Sequence, residues 1–218
     1  MNKNCLVIGG TRGIGREVCN ILSLSTWDCI AVGRQQCDMN RYDSVNDYLK
    51  SFPVNVQIDA IVFSQGEWFS KPLTDHQMVD YYSQYTSRVL SPIRVIGNFV
   101  NHLRASAHGS VTFVSSTRGF MGGVETAPYS LACAAQIALV QGLAREYEGI
   151  RTNVICPGLT NTDLGKRVVE TGGSKPGAAM NDPKVVAREI VNVIEDLDCN
   201  GKVIQVVNNL SSEAKWTW

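Results

Sequence analysis

The sequence has no excess of either charge, no long apolar run and no paired-cysteine motif. Lysine and arginine together number 20, as do aspartate and glutamate, so the formal net charge is zero. This balance argues against bulk binding of nucleic acid or of an anionic membrane surface. No apolar run approaches the roughly 18 residues of a membrane span, and the N-terminus has no signal-peptide hydrophobic segment. We therefore expect neither a nucleic-acid partner nor a membrane partner.

The seven cysteines are scattered along the chain and include no C-x-x-C pair. An odd, unpatterned set is typical of reduced thiols that serve as small core residues in a cytoplasmic protein. The sequence also contains no internal repeat, low-complexity tract or linker. At 218 residues it is long enough for a substantial core, so we expect one domain over residues 1–218.

A glycine loop follows the first apolar run. Residues 5–8 are apolar, glycines stand at positions 9, 13 and 15, and an amphipathic run comes next. Free backbone N–H groups and the positive end of a helix dipole make such a turn an anion site, which a pyrophosphate can approach closely. The loop predicts dinucleotide binding, with an ordinary tight strand-to-helix turn as the alternative. The predicted binding residues are Gly9, Thr11, Arg12, Gly13, Ile14 and Gly15.

Apolar and amphipathic runs alternate along the whole chain. The alternation predicts an α/β fold with a doubly wound parallel sheet of the Rossmann type. Strands are predicted near residues 4–9, 29–33, 58–63, 110–115, 152–156 and 202–207. Helices are predicted near residues 14–24, 41–51, 75–104, 128–148 and 183–196.

The second predicted strand ends at Arg34, the place where a dinucleotide fold meets the adenine ribose. An acidic residue at this place would accept a hydrogen bond from the ribose 2′-hydroxyl. The sequence instead has Arg34 there and Arg12 in the glycine loop, and two guanidinium groups suit a 2′-phosphate. We therefore expect NADP(H), with solvated surface charges as the alternative for either arginine.

A strand that ends in two serines precedes a tyrosine. Tyr129 stands 13 positions after Ser116, and Pro157-Gly158 closes the next predicted strand. Together with the Gly-x3-Gly-x-Gly loop, this order resembles the short-chain dehydrogenase/reductase family over nearly the whole chain. The resemblance implies an oxidoreductase in which the Tyr129 hydroxyl exchanges a proton with a carbonyl or alcohol oxygen. The Ser116 hydroxyl would hold the same oxygen by a hydrogen bond.

The same resemblance implies further contacts with the cofactor. In the family, basic residues at the positions of Arg12 and Arg34 are associated with NADP(H) as the cofactor, and Asp38 would lie beside the adenine. Gly66 belongs to a segment that shares only its glycine with the family's Asn-Asn-Ala-Gly pattern, so an ordinary strand end is an equal alternative. Pro157 and Gly158 would lie under the nicotinamide, and Thr162 would bond the carboxamide or a phosphate.

The sequence departs from the family pattern at three places. The family has a lysine four residues after the tyrosine, where this chain has Cys133, and the tetrad asparagine would fall on Arg88. Only three residues separate Arg34 from Asp38, where the family has a helix and a strand. A parallel crossover needs a dozen or more residues, so the usual third strand should be short or missing, leaving six parallel strands.

The resemblance also implies a homodimer or homotetramer. Helices 75–104 and 128–148 would pair across a two-fold axis, with Ala132, Ala135 and Ala138 small enough for close approach. Residues 163–182 resemble the mobile substrate loop of the family. Trp216 and Trp218, in the tail, would cover a partner subunit or the pocket.

Two functions remain open from the sequence. The first is an NADP(H)-dependent oxidoreductase that reduces a small-molecule carbonyl by hydride transfer, with Tyr129 as the acid. The neutral phenol that reduction needs is present without the family's lysine, so the loss of lysine harms reduction less than oxidation. The second is a non-catalytic NADP(H)-binding protein, a sensor or scaffold that has lost the lysine. No metal site is predicted, and Cys133 is expected to be a small packing residue.

Overall fold

A computed structural model describes residues 2–214, which pack around one seven-stranded sheet. The strand order is β2-β1-β3-β4-β5-β6-β7. Strands β1 to β6 run parallel, and β7 pairs antiparallel with β6. The strands are β1 (Lys3–Ile8), β2 (Trp27–Val32), β3 (Ala60–Phe63), β4 (Ser110–Val114), β5 (Arg151–Pro157), β6 (Val203–Val207) and β7 (Leu210–Glu213). The predicted Rossmann-type α/β fold is therefore confirmed, with an added antiparallel strand that the sequence analysis missed.

Helices cover both faces of the sheet. They are α1 (Gly13–Leu22), α2 (Tyr42–Ser51), α3 (Met78–Tyr85), α4 (Ser91–Ala105), α5 (Arg118–Met121), α6 (Ala127–Glu146), α7 (Asp163–Glu170) and α8 (Pro183–Glu195). Asp182 caps α8 by accepting a hydrogen bond from the N–H of Lys184. The short helices α5 and α7 were not predicted, and α7 lies in the segment expected to be the substrate loop.

The core consists of two apolar clusters, one on each face of the sheet. Val18 and Leu22 of α1 meet Val186 and Ile190 of α8 on one face. Side chains of α2, α4 and α6 pack on the other face, including Val45, Leu49, Phe99, Leu103, Ile137 and Val140. Because both faces are covered, the central strands are apolar on both sides, as β3 is over its whole length.

Strand β2 lies at one edge of the sheet. Residues 34–40 form turns and no ladder with β2, so the described chain agrees with the prediction of a short or missing third strand. The turns bring Asp38 to the sheet edge from a loop.

The single helix predicted over residues 75–104 is wrong in detail. A 3-10 turn (Leu73–Asp75) comes first, and α3 and α4 are then joined by one π-helical segment, Thr86–Leu90. Pro92 at the start of α4 has no N–H and its ring crowds the carbonyl four residues earlier, that of Arg88. The widened turn at this point relieves that conflict and changes where Arg88 points relative to a continuous α-helix.

Cys19 of α1 and Cys29 of β2 form a disulfide, with their Cα atoms 5.4 Å apart. The expectation that all seven cysteines are reduced is wrong for this pair, because α1 packs directly against β2 and brings the two thiols together. The remaining five cysteines in the described chain are free and buried, as expected for small core residues.

Helix α6 is long and apolar enough to cross a membrane by length and composition alone, contrary to the expectation from the sequence. In the fold it is a core helix, with Ala132, Cys133 and Ile137 fully buried. Ala132 therefore packs inside this chain and is not available to a partner subunit, whereas Ala138 is exposed. Trp216 and Trp218 lie outside the described residues.

Candidate active site

The parallel strands end at one edge of the sheet, where a cavity of about 970 Å³ opens. In parallel α/β sheets ligands bind at this edge. The lining includes every residue predicted to bind cofactor or substrate except Gly15. These lining residues are Gly9, Thr11, Arg12, Gly13, Ile14, Arg34, Asp38, Gly66, Ser116, Tyr129, Pro157, Gly158 and Thr162.

The glycine loop has the geometry of an anion site. Gly9 and Gly13 have φ angles of 85° and 54°, which favour glycine, and a Cβ on Gly15 would overlap the carbonyl oxygen of Gly9. Gly15 thus allows α1 to pack closely on the loop without itself lining the cavity.

The N-terminus of α1 is open. Arg12 makes no capping hydrogen bond with its side chain, and the first turn of α1 contains no acidic residue. Within residues 2–214 we find no protein acceptor for the backbone N–H groups of Gly13, Ile14 and Gly15. Such free N–H groups beside a cavity fit the phosphates of a dinucleotide.

Arg34 does not stand free at the end of β2. Its guanidinium forms a hydrogen-bonded ion pair with the carboxylate of Glu67, and this hydrogen bond raises the pKa of Arg34. Glu67, which also lines the cavity, was not singled out in the sequence because it lies 33 positions from Arg34. A phosphate at Arg34 would therefore compete with Glu67.

Asp38 reaches the cavity from the loop after β2, as predicted. Its Oδ1 accepts a hydrogen bond of 3.0 Å from the N–H of Asn40, and its own N–H donates to Ser44 Oγ at 2.9 Å. These local bonds fix the loop that would face the adenine.

Two hydroxyl groups from separate elements lie beside the cavity. Tyr129 lies in the first turn of α6 and Ser116 follows the end of β4, and both line the cavity. Ser116 Oγ accepts a hydrogen bond from the N–H of Arg118 at 3.2 Å. The neighbouring Ser115 instead donates to the carbonyl oxygen of Cys133 at 3.0 Å, so its side chain bonds to the backbone of α6. The structure thus brings together the pair that the 13-position spacing predicts.

Burial determines the protonation states of Tyr129 and of its neighbour Cys133. It raises the pKa of Tyr129 to about 12, and Cys133 adds to the rise, whereas Arg88 and the nearby Ser116 hydroxyl oppose it. Burial also raises the pKa of Cys133, which is fully enclosed. At neutral pH the site therefore contains a neutral phenol and a neutral thiol, and the thiol is a poor nucleophile.

Arg88 occupies the place where the family's asparagine was expected. Only 2% of its surface is exposed, and its guanidinium carbon lies 4.6 Å from the centroid of the Tyr129 ring. A Cβ on Gly66 would lie 2.5 Å from Arg88 Nη2. Gly66 lines the cavity, and the structure gives a reason for glycine there, which is room for this guanidinium.

Trp68 closes the other side of Tyr129. The two rings meet edge to face, with centroids 5.1 Å apart and an interplanar angle of 66°. Trp68 Nε1 donates to Thr171 Oγ1 at 2.8 Å, and Arg118 Nη2 donates to the carbonyl oxygen of Gly173 at 2.9 Å. These bonds hold the segment after α7 over the cavity. The sequence analysis missed Trp68, whose only signal was an aromatic residue soon after a buried strand.

Pro157 ends β5, and Gly158 and Thr162 follow it along the cavity. The Gly158 N–H donates to the carbonyl oxygen of Val206 at 2.9 Å, and Thr162 Oγ1 caps α7 by accepting from the N–H of Gly165 at 3.2 Å. A Cβ on Gly13 would lie 3.4 Å from Thr162 Cγ2. Thr162 is therefore close enough to the glycine loop to contact a group bound there.

Comparison with known proteins agrees with this geometry. Residues 34–172, well over half of the chain, match the family model described as short chain dehydrogenase. The chain is 24% identical over 232 residues to "Carbonyl reductase family member 4" of Xenopus tropicalis, covering 96% of this chain and 98% of that protein.

Solved structures share the fold over nearly the whole chain. A short chain dehydrogenase family protein from Francisella tularensis subsp. tularensis SCHU S4 has a TM-score of 0.83 at 20% identity, covering 95% of this chain and 98% of that chain. A small-chain dehydrogenase in complex with NADPH has a TM-score of 0.81 at 22% identity, covering 96% of this chain and 98% of that chain. By its family match and its fold, the chain belongs to the short-chain dehydrogenase/reductase family of oxidoreductases.

Proposed function

We propose that the protein reduces a small carbonyl compound with NADPH. The observation that carries the proposal is the meeting of Ser116 and Tyr129 at a cavity that also contains the open N-terminus of α1. A hydroxyl pair and an anion site at the same sheet edge are what a dinucleotide-dependent reduction needs. The similarity to a protein named as a carbonyl reductase family member supports the same substrate class.

The residues present fit a bound NADPH. The N–H groups of Gly13 and Ile14 would hold the pyrophosphate, while Arg12 and Arg34 would hold the 2′-phosphate. Asp38, Gly66, Pro157, Gly158 and Thr162 would complete the site. When bound, NADPH supplies the hydride. A structural relative described in complex with NADPH supports this choice of cofactor.

Tyr129 would then supply the proton. Since its pKa is raised to about 12, its phenol is protonated at neutral pH and can donate to the oxygen of a carbonyl as that oxygen gains charge. Ser116 would hold the same oxygen by donating a hydrogen bond, and Trp68 with the segment after α7 would exclude water. The same raised pKa makes Tyr129 a poor base, so reduction is favoured over alcohol oxidation.

The test is NADPH consumption against a panel of carbonyl compounds. The native chain should turn over at least one of them, and Tyr129→Phe should remove that activity, a loss of roughly 10²-fold or more. Tyr42→Phe is the matched control, because Tyr42 is exposed on α2 and does not line the cavity. If NADPH binds but nothing is reduced, and Tyr129→Phe changes nothing, the non-catalytic binding alternative is correct instead.

Cofactor choice is tested by calorimetric titration of NADPH and NADH. Arg34→Ala should weaken NADPH binding by roughly 10- to 150-fold, because a charge-assisted hydrogen bond contributes about 1.5–3 kcal/mol, and should leave NADH binding unchanged. Glu67→Gln should strengthen NADPH binding, because it removes the carboxylate that competes for Arg34. Equal affinity of the native chain for the two cofactors would contradict the NADP(H) assignment.

A further inference from the structure

Arg88 is a buried cation without a buried anion. In the described part of the chain it takes part in no ion pair. Its Nε donates to Gln84 Oε1 at 3.3 Å and its Nη2 donates to the carbonyl oxygen of Glu67 at 3.2 Å, both neutral acceptors. A buried charge that is not paired is costly, and such groups persist where the charge is used.

The charge of Arg88 also lies over the phenol ring of Tyr129. The guanidinium carbon lies 4.6 Å from the ring centroid, within the range of a cation–π contact. Three features of the chain hold it there. The π-helical segment carries the side chain inward, Gln84 one turn earlier binds Nε, and Gly66 leaves room for Nη2.

We propose that Arg88 is a positioning residue that acts through Tyr129, supplying the positive charge missing at Cys133 and fixing the phenol ring. The inference rests on the proposed reduction. In that reaction hydride adds to the carbonyl carbon while Tyr129 gives its proton to the carbonyl oxygen. NADPH would become NADP⁺, the carbonyl an alcohol and Tyr129 a phenolate, which a proton from bulk solvent then neutralises.

A phenolate in a buried site needs a nearby positive charge. Cys133 cannot provide one, since burial raises the pKa of its thiol and an ionised thiol would be negative. Arg88 opposes the rise in the pKa of Tyr129, which is the direction that stabilises the phenolate.

The experiment measures kcat and KM for carbonyl reduction, with NADPH affinity measured separately by calorimetry. Arg88→Met removes the charge and keeps a long apolar chain, whereas Arg88→Lys keeps the charge. We expect Arg88→Met to lower kcat roughly 10- to 100-fold, with KM and NADPH affinity within about threefold of native. Arg88→Lys should recover most of the loss. Arg104→Met is the matched control, because Arg104 stacks on Tyr147 with 5.5 Å to the ring centroid on the exposed surface.

A double-variant cycle with Cys133→Lys separates this role from a structural one. If Arg88 supplies charge to Tyr129, Arg88→Met should cost less when a lysine stands at position 133. An equal loss in both backgrounds overturns the proposal, as does a rise in KM with kcat unchanged, which would mean that Arg88 binds an anionic substrate.

Three further outcomes are distinguished. If Cys133→Lys does not fold, the comparison of Arg88→Met with Arg88→Lys decides, and equal loss in the two overturns the proposal. If the native chain reduces no carbonyl, the proposed function fails and the role of Arg88 fails with it. Native turnover that Arg88→Met leaves unchanged overturns the role of Arg88 alone.

Discussion

Cys133 shows how one residue changes the chemistry of its neighbour. It stands one helical turn after Tyr129, where the family has a lysine, and it is enclosed in a cluster with Phe69 and Tyr129. A thiol there adds no charge at neutral pH and leaves the phenol protonated. In the proposed reaction, cysteine at this position would preserve the acid required for reduction and remove most of the base required for oxidation.

Carbonyl reduction and alcohol oxidation should therefore have different pH profiles. With a pKa of about 12, Tyr129 stays protonated from about pH 6 to about pH 10, so carbonyl reduction should not decline through its ionisation. Alcohol oxidation needs the phenolate, which is about one part in 10⁴ at pH 8, and should rise about tenfold with each pH unit. Initial rates in both directions across this range check the prediction.

The control for this profile is Cys133→Ala. Because the buried thiol is neutral and unreactive, the variant should keep both activities, with alcohol oxidation somewhat faster at a given pH because Cys133 adds to the rise in the pKa of Tyr129. A large loss of activity in Cys133→Ala would show that the thiol itself takes part in the reaction, and a bell-shaped profile near neutral pH would show that Tyr129 is not the titrating acid.

Residue spacing decides which parts of the site could be predicted. Ser116 and Tyr129 could be paired because their separation along the chain is a known pattern, as could the glycines of the loop. The contacts of Arg88 with Tyr129 and of Arg34 with Glu67 depend on how separate segments approach one another. No local pattern in the sequence encodes those approaches.

At the scale of single elements, the region of residues 75–104 was the least predictable. Its apolar pattern predicts one helix, but Pro92 removes one N–H and crowds the carbonyl of Arg88, and a π-helical segment results. The proline was visible in the sequence, but whether a proline ends a helix, kinks it or widens one turn depends on the surrounding packing. Here the widened turn carries Arg88 inward, with 2% of its surface exposed.

The β6–β7 hairpin was missed although its signal was present. Asn208 and Asn209 form a two-residue loop with φ angles of 51° and 61°, as in a type I′ turn. Asparagine tolerates this region better than other residues with a Cβ, and glycine tolerates it best. An apolar run followed by Asn-Asn thus indicated a hairpin and a seventh strand.

The hairpin gives a stability prediction. Asn208→Ala should destabilise the fold by about 1 kcal/mol because alanine is strained at this φ angle, whereas Asn208→Gly should be nearly neutral. Denaturant unfolding of the two variants measures the difference. Asn209 is not a suitable site for the test, because its Oδ1 also accepts a hydrogen bond from the N–H of Asp182 at 2.7 Å. Equal stability of the alanine and glycine variants would contradict the turn assignment.

At the scale of the whole molecule, the disulfide bears on the environment in which the chain works. A cytoplasmic location remains a prediction, and disulfides are rare in reducing compartments. The bond between Cys19 and Cys29 ties α1 to the edge strand β2, just behind the glycine loop. Counting free thiols in the unfolded, unreduced protein, purified without exposure to oxidants, would show whether this pair is bonded in the cell.

Assembly is the remaining whole-molecule prediction, and exposed apolar side chains support it. Tyr82 on α3, Ile93 on α4 and Leu131 on α6 are exposed, with 65%, 44% and 53% of their surfaces open. Such a set on neighbouring helices is typical of a surface that pairs with a second copy. We expect a homodimer or homotetramer at micromolar concentration, and Leu131→Glu should shift it toward monomer because a buried unpaired charge at the interface is costly.

Light scattering of the native chain and of two variants tests this prediction. Val54→Glu is the control, because Val54 is 97% exposed, in the turn after α2. It should leave the molar mass unchanged while adding the same charge as Leu131→Glu. A native chain that is monomeric would rule out the assembly. A native oligomer that Leu131→Glu leaves intact would place the interface elsewhere. Ala132, one of the small residues first expected to form the interface, is fully buried within the chain.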